Sequence, residues 1–143
     1  MLDRNKVVQE AEEWLGIPWQ HQASLKGVAA DCIGLVAGIY RECGGTAEFR
    51  ADYPATWHLF NSYERLYLTA KSQGFEDVAT EDIRPGDILL FRFGKMPANH
   101  CGLYVGNGWF IHSYSSVGKV VKTRFDGVWL KCFFTAIKYP GVD

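Results

Sequence analysis

The chain has 143 residues, 48% of them hydrophobic and 22% charged, which excludes a disordered chain and predicts one domain over residues 1–143. Its 15 basic and 16 acidic residues give a net charge of -1 at pH 7, so we expect no nucleic acid partner and no membrane surface bound through bulk charge. No apolar run approaches the roughly 18 residues of a membrane span, and charges near the amino terminus leave no room for a signal peptide.

The first half of the chain predicts helices. The spacing of Val7, Ala11 and Trp14 is helical, with Asp3 as the capping residue, and a loop is expected over 17–30. A second helix begins at Asp31-Cys32 and is apolar nearly all round, so it should be buried; two glycines end it. A third helix is predicted near 57–73, where apolar and aromatic side chains line one face.

The pattern changes after residue 87 to short strands separated by turn residues. Five strands are predicted, over 88–93, 100–105, 109–113, 119–123 and 133–139. Helices followed by a run of strands are typical of an α+β fold with an antiparallel sheet.

Four cysteines lie at positions 32, 43, 101 and 132, and none forms the CxxC pair of a zinc ribbon or thioredoxin motif. Cys32 differs from the others because it falls in the first turn of a buried helix. Free N–H groups and the positive end of the helix dipole favour a thiolate there, and the same N–H groups can stabilise an oxyanion. The alternative is that Cys32 is a small buried hydrophobe, as we expect for the other three cysteines.

Two histidines follow in the strand region, around a hairpin signal at Gly106-Asn107-Gly108. With these three residues as the loop, His112 lies opposite Gly102, and His100 shares that face by strand alternation. The two imidazoles are then diagonal neighbours, roughly 7–8 Å apart at the backbone. Cys101 points to the opposite face, towards the core.

A nucleophile needs a base, and the base needs a group that orients it. Cys32, His100 and His112 can fill these roles in that order. Two other interpretations stay open from the residues alone: a pair of structural histidines that hydrogen-bond to each other, and a Cys-His-His zinc site with an open position.

Four ordered motifs carry a family resemblance: Asp-Cys-Ile-Gly-Leu-Val at 31–36, Arg-Pro-Gly-Asp-Ile-Leu-Leu-Phe at 84–91, Asn-His-Cys-Gly-Leu-Tyr-Val at 99–105 and Phe-Ile-His-Ser-Tyr at 110–114. The chain resembles the NlpC family of papain-like cysteine peptidases. Residues 16–22 and 129–140 are similar to its phage-tail and gene-transfer-agent branch. The resemblance implies a papain-like fold, with a helical N-terminal half packed on a C-terminal antiparallel sheet of about five or six strands.

The resemblance also implies a function. Cys32 would be the nucleophile, His100 the general base and His112 the orienting residue, with no metal or other cofactor. The substrate would be the stem peptide of bacterial peptidoglycan, cleaved next to a D-glutamyl or diaminopimelyl unit, and other tail proteins would be partners. We expect the protein to be cytoplasmic until assembled into or delivered by a tail, and to act at the cell wall or periplasm. The alternatives are an amidase or acyltransferase of the same fold, or an inactive structural tail component.

Five further residues are predicted to line the substrate or oxyanion site: Trp19, His21, Gln22, Asp31 and Ile33. Trp19 stands where the family often has a tyrosine that lies near the nucleophile and helps to hold the oxyanion. An indole can donate one hydrogen bond but cannot accept one. The alternative for His21 and Gln22 is a loop that packs on the second helix.

Overall fold

The computed structural model describes residues 2–45, 65–94 and 99–143. In them, three helices precede the strands of a six-stranded antiparallel sheet, and a short fourth helix lies before the last strand. The helices are α1 (Arg4–Glu13), α2 (Cys32–Glu42), α3 (Arg65–Ser72) and α4 (Val128–Cys132). The strands are β1 (Ser24–Leu25), β2 (Ala29–Ala30), β3 (Glu76–Val78), β4 (Ile88–Phe91), β5 (His100–Gly106), β6 (Trp109–Tyr114), β7 (Lys119–Arg124) and β8 (Phe133–Lys138). A 3-10 turn spans Thr80–Asp82.

The two predicted N-terminal helices are confirmed. The Asp3 carboxylate caps α1 by accepting a hydrogen bond from the Asn5 N–H at 2.9 Å. Eight consecutive residues of α2, from 33 to 40, are buried, as its apolar sequence predicts. Gly38 makes this packing possible, because a Cβ there would lie 2.4 Å from the Trp14 ring. The missing side chain therefore lets α1 and its C-terminal Trp14 approach α2 closely.

The six strands of the main sheet follow the order β3-β8-β4-β5-β6-β7, and every neighbouring pair is antiparallel. The predicted α+β class is therefore confirmed, and five predicted strands are found with small shifts at their ends. The central strand β4 is buried at all four positions. One face of the sheet packs against α1 and α2, and the other carries a second apolar cluster around Phe91 and Phe110.

Several elements were not predicted. The loop expected over 17–30 contains the short β1–β2 hairpin, β3 is a polar edge strand, and α4 follows Gly127, whose φ is +52°. The described part of the third helix, Arg65–Ser72, lies inside the predicted 57–73, and residues 57–64 lie outside the described residues. In the described ranges, no helix is long and apolar enough to cross a membrane.

Candidate active site

The site begins at the N-terminus of α2, where Asp31 is the capping residue. One carboxylate oxygen of Asp31 accepts from the Gly34 N–H at 2.7 Å, and the other accepts from the Gln22 N–H at 2.8 Å. Asp31 therefore fixes the helix start and ties the preceding loop to it. The next two residues are Cys32, which is partly exposed, and Ile33, and their backbone N–H groups lie in the first turn of α2, where the helix itself offers no acceptor. Those two N–H groups can receive an anionic oxygen.

The hairpin between β5 and β6 differs from its prediction in the length of its loop. The turn consists of two residues, Asn107 (φ +55°) and Gly108 (φ +82°), where a three-residue loop was expected. Two positive φ angles define a type I′ turn, which Asn-Gly favours. A shorter loop alone would have moved His112 to the opposite face.

A β-bulge restores the predicted register. Tyr104 pairs with Phe110 and Gly106 pairs with Trp109, so that one extra residue, Val105, lies between the two pairs on β5. Further from the turn, the strands therefore keep the pairing that a three-residue loop predicts. The prediction was right about the shared face of the two histidines and wrong about how the chain achieves it.

The two imidazoles are joined directly. His100 Nε2 lies 2.7 Å from His112 Nδ1, and His112 Nε2 lies 2.8 Å from the Thr123 hydroxyl oxygen. His112 is fully buried, and this burial, together with the nearby charge of His100, lowers the pKa of His112 to about 2. His112 is consequently neutral at physiological pH and carries one ring proton.

This single proton fixes the direction of the hydrogen bonds. When His100 is protonated at both nitrogens, its Nε2–H donates to His112 Nδ1. The proton of His112 must then be on Nε2, where it donates to the Thr123 hydroxyl. The remaining nitrogen of His100, Nδ1, is the one available to Cys32, whose pKa the His100 side chain lowers. The four side chains form a linear relay from sulfur to hydroxyl.

The Cys32 thiol is strongly acidified. A hydrogen bond with the Cys101 thiol holds the pKa of Cys32 well below its ordinary value, and the hydrogen bond and positive charge of His100 add to this effect against the opposing effect of burial. Conversely, its hydrogen bond to Cys32 and its burial raise the pKa of Cys101 well above the ordinary value. Cys32 is therefore the thiolate of the pair, and Cys101 remains a thiol.

Sequence reasoning missed several side chains that contact the two histidines, among them Thr123 and Trp129. Thr123 belongs to β7, and its position was predictable, because Val121 pairs with His112 and residues two apart in a strand share a face. Trp129 belongs to α4, and its ring centroid lies 5.7 Å from that of His100 and 4.9 Å from that of His112. Trp129 therefore packs against both imidazoles.

The loop before α2 carries the remaining predicted residues. Trp19 is half-buried, and its backbone N–H donates to the Gly118 carbonyl at 2.9 Å, which places the residue beside the β6–β7 turn. His21 and Gln22 are half-buried and form the turn that the Asp31 carboxylate holds. The Ile33 side chain packs in the core, so only its backbone faces the site. Substrate contacts of these side chains stay predictions.

The zinc interpretation finds no matching arrangement. In the part of the chain that the structure describes, no group of three or more His, Cys, Asp or Glu side chains is placed to hold a metal ion. The reason is visible in the relay, since His100 Nε2 and His112 Nδ1 face each other and His112 Nε2 faces Thr123. Their nitrogens do not converge with Cys32 on a common point.

The model of the NlpC/P60 family matches residues 16–138, a range that contains the whole relay. The chain belongs to the NlpC/P60 family. A solved NLP/P60 family structure from Staphylococcus aureus subsp. aureus Mu50 is similar to this NlpC/P60 chain, with a TM-score of 0.70 and 15% sequence identity. The match covers 97% of the present chain and 42% of the Staphylococcus aureus protein. The papain-like architecture that the resemblance implies is thereby confirmed.

Two curated relatives of this NlpC/P60 chain are named after their enzymatic activities. The murein DD-endopeptidase MepS/murein LD-carboxypeptidase of Escherichia coli (strain K12) is 27% identical over 128 residues, which are 90% of this chain and 58% of that protein. The gamma-DL-glutamyl hydrolase of Bacillus subtilis (strain 168) is 29% identical over 124 residues, which are 86% of this chain and 26% of that protein. The chain thus spans less than two thirds of either relative.

Proposed function

We propose that this chain is a cysteine endopeptidase that hydrolyses amide bonds in the stem peptides of bacterial peptidoglycan. The observation that carries the proposal is the Cys32–His100–His112–Thr123 relay at a helix N-terminus. It combines an acidified thiol, a base within hydrogen-bond reach and a neutral group that orients the base. A merely structural pair of histidines would need no acidified thiol at its end, and the nitrogens of this pair face each other and Thr123 instead of a shared metal position.

The relay supports acyl transfer in two stages. The Cys32 thiolate attacks the scissile carbonyl, and the N–H groups of Cys32 and Ile33 hold the oxyanion that forms. His100 gives its Nδ1 proton to the leaving amine, and a thioester remains on Cys32. His100 then takes a proton from water, whose oxygen attacks the thioester, and the Cys32 thiolate leaves with the proton retained on His100. The starting ion pair is restored, and no other reactant is needed.

The substrate class rests on the relatives. Their names include DD, LD and gamma-DL bonds, all of which involve a residue of D configuration. Stem peptides of peptidoglycan contain such residues, and the chain's resemblance to the NlpC family points to bonds next to a D-glutamyl or diaminopimelyl unit. A role in a phage-like tail, with action at the cell wall or periplasm, rests on the resemblance of residues 16–22 and 129–140.

The test is digestion of purified peptidoglycan, followed by mass analysis of the released fragments. We expect the wild-type chain to release peptides cut within the stem, and Cys32→Ser to lose turnover by more than about 1,000-fold while it stays folded, because an alcohol at this position is a far weaker nucleophile. Cys43→Ser is the matched control, since Cys43 lies at the other end of α2, and it should remain active.

Other products would contradict the proposal in distinct ways. Release of intact stem peptides from the glycan would identify an amidase, and products extended by an added amine would identify an acyltransferase. No release by the folded wild-type chain would favour an inactive structural component.

A further inference from the structure

The thiol beside the proposed nucleophile is not one of the four side chains of the relay, although it lowers the pKa of Cys32. Cys101 follows His100 in β5 and is 2% exposed. Its sulfur lies 3.4 Å from the carbonyl oxygen of Cys32, to which the thiol donates, and Cys101 also lowers the pKa of Cys32. The Cys101 thiol therefore lies directly beside the residue that carries the proposed nucleophile.

The other two cysteines lie elsewhere. Cys43 is the C-cap of α2, eleven residues after Cys32, which corresponds to a rise of about 16 Å. Cys132 packs on the opposite face of the sheet, in the cluster around Phe91 and Phe110. All four cysteines are free thiols in the structure. Among them, Cys101 is the cysteine whose thiol contacts Cys32.

We propose that Cys32 and Cys101 form a reversible disulfide when the protein meets a hydroperoxide, and that this bond blocks the nucleophile. The effect on activity rests on the proposed function, whereas formation of the bond does not. The buried Cys101 thiol cannot easily meet an oxidant itself, while the partly exposed Cys32 can. The pair is thus divided into one thiol that reacts with the oxidant and one that resolves the product.

The chemistry balances in two steps. The Cys32 thiolate attacks one oxygen of the hydroperoxide, the O–O bond breaks, and a sulfenic acid forms on Cys32 as the other oxygen leaves and takes up a proton. The Cys101 sulfur then attacks the Cys32 sulfur, and the displaced hydroxide leaves as water with the Cys101 proton. Two thiols lose two electrons, and one hydroperoxide gains them. A small dithiol such as dithiothreitol returns both cysteines to thiols by exchange.

The arrangement has a protective consequence. A sulfenic acid without a neighbouring thiol is oxidised further to a sulfinic acid, which ordinary thiols do not reduce. With Cys101 within reach, the sulfenic acid of Cys32 is consumed before a second hydroperoxide arrives. Oxidation then converts Cys32 into a disulfide, from which a thiol can regenerate it.

The experiment treats the purified chain with hydrogen peroxide and follows its thiols without any substrate. For the wild type, we expect a mass lower by two hydrogens, a linked pair of peptides that contain Cys32 and Cys101, and loss of Cys32 alkylation that dithiothreitol fully restores. Cys101→Ser should instead gain oxygen atoms on Cys32 and recover no alkylation. Cys43→Ser and Cys132→Ser are matched controls and should behave as the wild type does.

Two results for the wild-type chain would overturn the proposal: a gain of oxygen on Cys32 without a linked peptide, or a link from Cys32 to Cys43 or Cys132. Peptide mapping of the wild type distinguishes these results even if Cys101→Ser does not fold. A chain that forms the disulfide but never cleaves peptidoglycan would refute the proposed function and support the proposed disulfide. A chain that cleaves peptidoglycan but forms no disulfide would support the proposed function and refute the disulfide.

Discussion

The hydroxyl at the far end of the relay offers the sharpest test of its geometry. Thr123→Val removes the oxygen that lies 2.8 Å from His112 Nε2 and preserves the shape of the side chain. The single proton of neutral His112 then has no acceptor on Nε2. It can move to Nδ1, but that nitrogen must accept from His100, so either arrangement weakens the orientation of His100.

The size of the effect follows from burial. A buried donor left without a partner costs about 1–3 kcal/mol, which corresponds to a change of about 5- to 150-fold in rate. His112 is fully buried, but Thr123 is only half-buried, so water can replace part of the lost hydroxyl. We therefore expect kcat to fall about tenfold, near the lower end of that range.

The assay measures turnover of a stem peptide and, separately, the rate of Cys32 alkylation against pH. Thr123→Ser keeps the hydroxyl and should retain most of the wild-type turnover. The melting temperatures of both variants show whether any loss comes from the fold. A folded Thr123→Val variant with wild-type kcat and an unchanged pH profile would refute the relay.

Three further predictions follow from the same site. Because the pKa of Cys32 is lowered, Cys32 should be alkylated at mildly acidic pH, where an ordinary thiol of pKa about 8.5 does not react. His100→Ala should move the dependence of the alkylation rate on pH to higher pH, and an unchanged dependence would contradict the Cys32–His100 ion pair. His112→Ala should reduce kcat by about 100-fold or more, whereas His112→Gln, which can still accept from His100, should recover part of the loss in the same turnover assay; equal losses would show that His112 only fills space. Deletion of Asn107 should leave the two histidines on one face, because the strand can lose its bulge and close with a two-residue turn; complete loss of activity in a folded deletion variant would contradict this register.

The sequence predicted the elements with a strong local pattern. Helix α2 is indicated by an apolar run between a capping residue and two glycines, and the shared face of His100 and His112 follows from strand alternation. The failures also have local causes. Strand β3 is three residues long with two exposed acidic side chains, and α4 has five residues, too few to show a helical period.

The rest of the site depends on contacts between distant segments. Alternation correctly places Cys101 in the core, but its contact with Cys32 depends on where α2 begins relative to β5, and no local pattern contains that information. The same is true of Trp129, which reaches the histidines because α4 folds back over the sheet. Thr123 was within reach of sequence reasoning, since its face follows from the pairing of Val121 with His112.

The neutral state of His112 has a consequence for the order of events in the proposed reaction. A carboxylate at that position would balance the charge of the His100 imidazolium throughout the cycle, whereas a neutral imidazole only orients it. The counter-charge of His100 is then the Cys32 thiolate itself. When Cys32 attacks and its charge moves to the oxyanion, the positive charge of His100 loses its nearest counter-charge. Transfer of the His100 proton to the leaving amine removes this unpaired charge at the step at which the amine needs the proton.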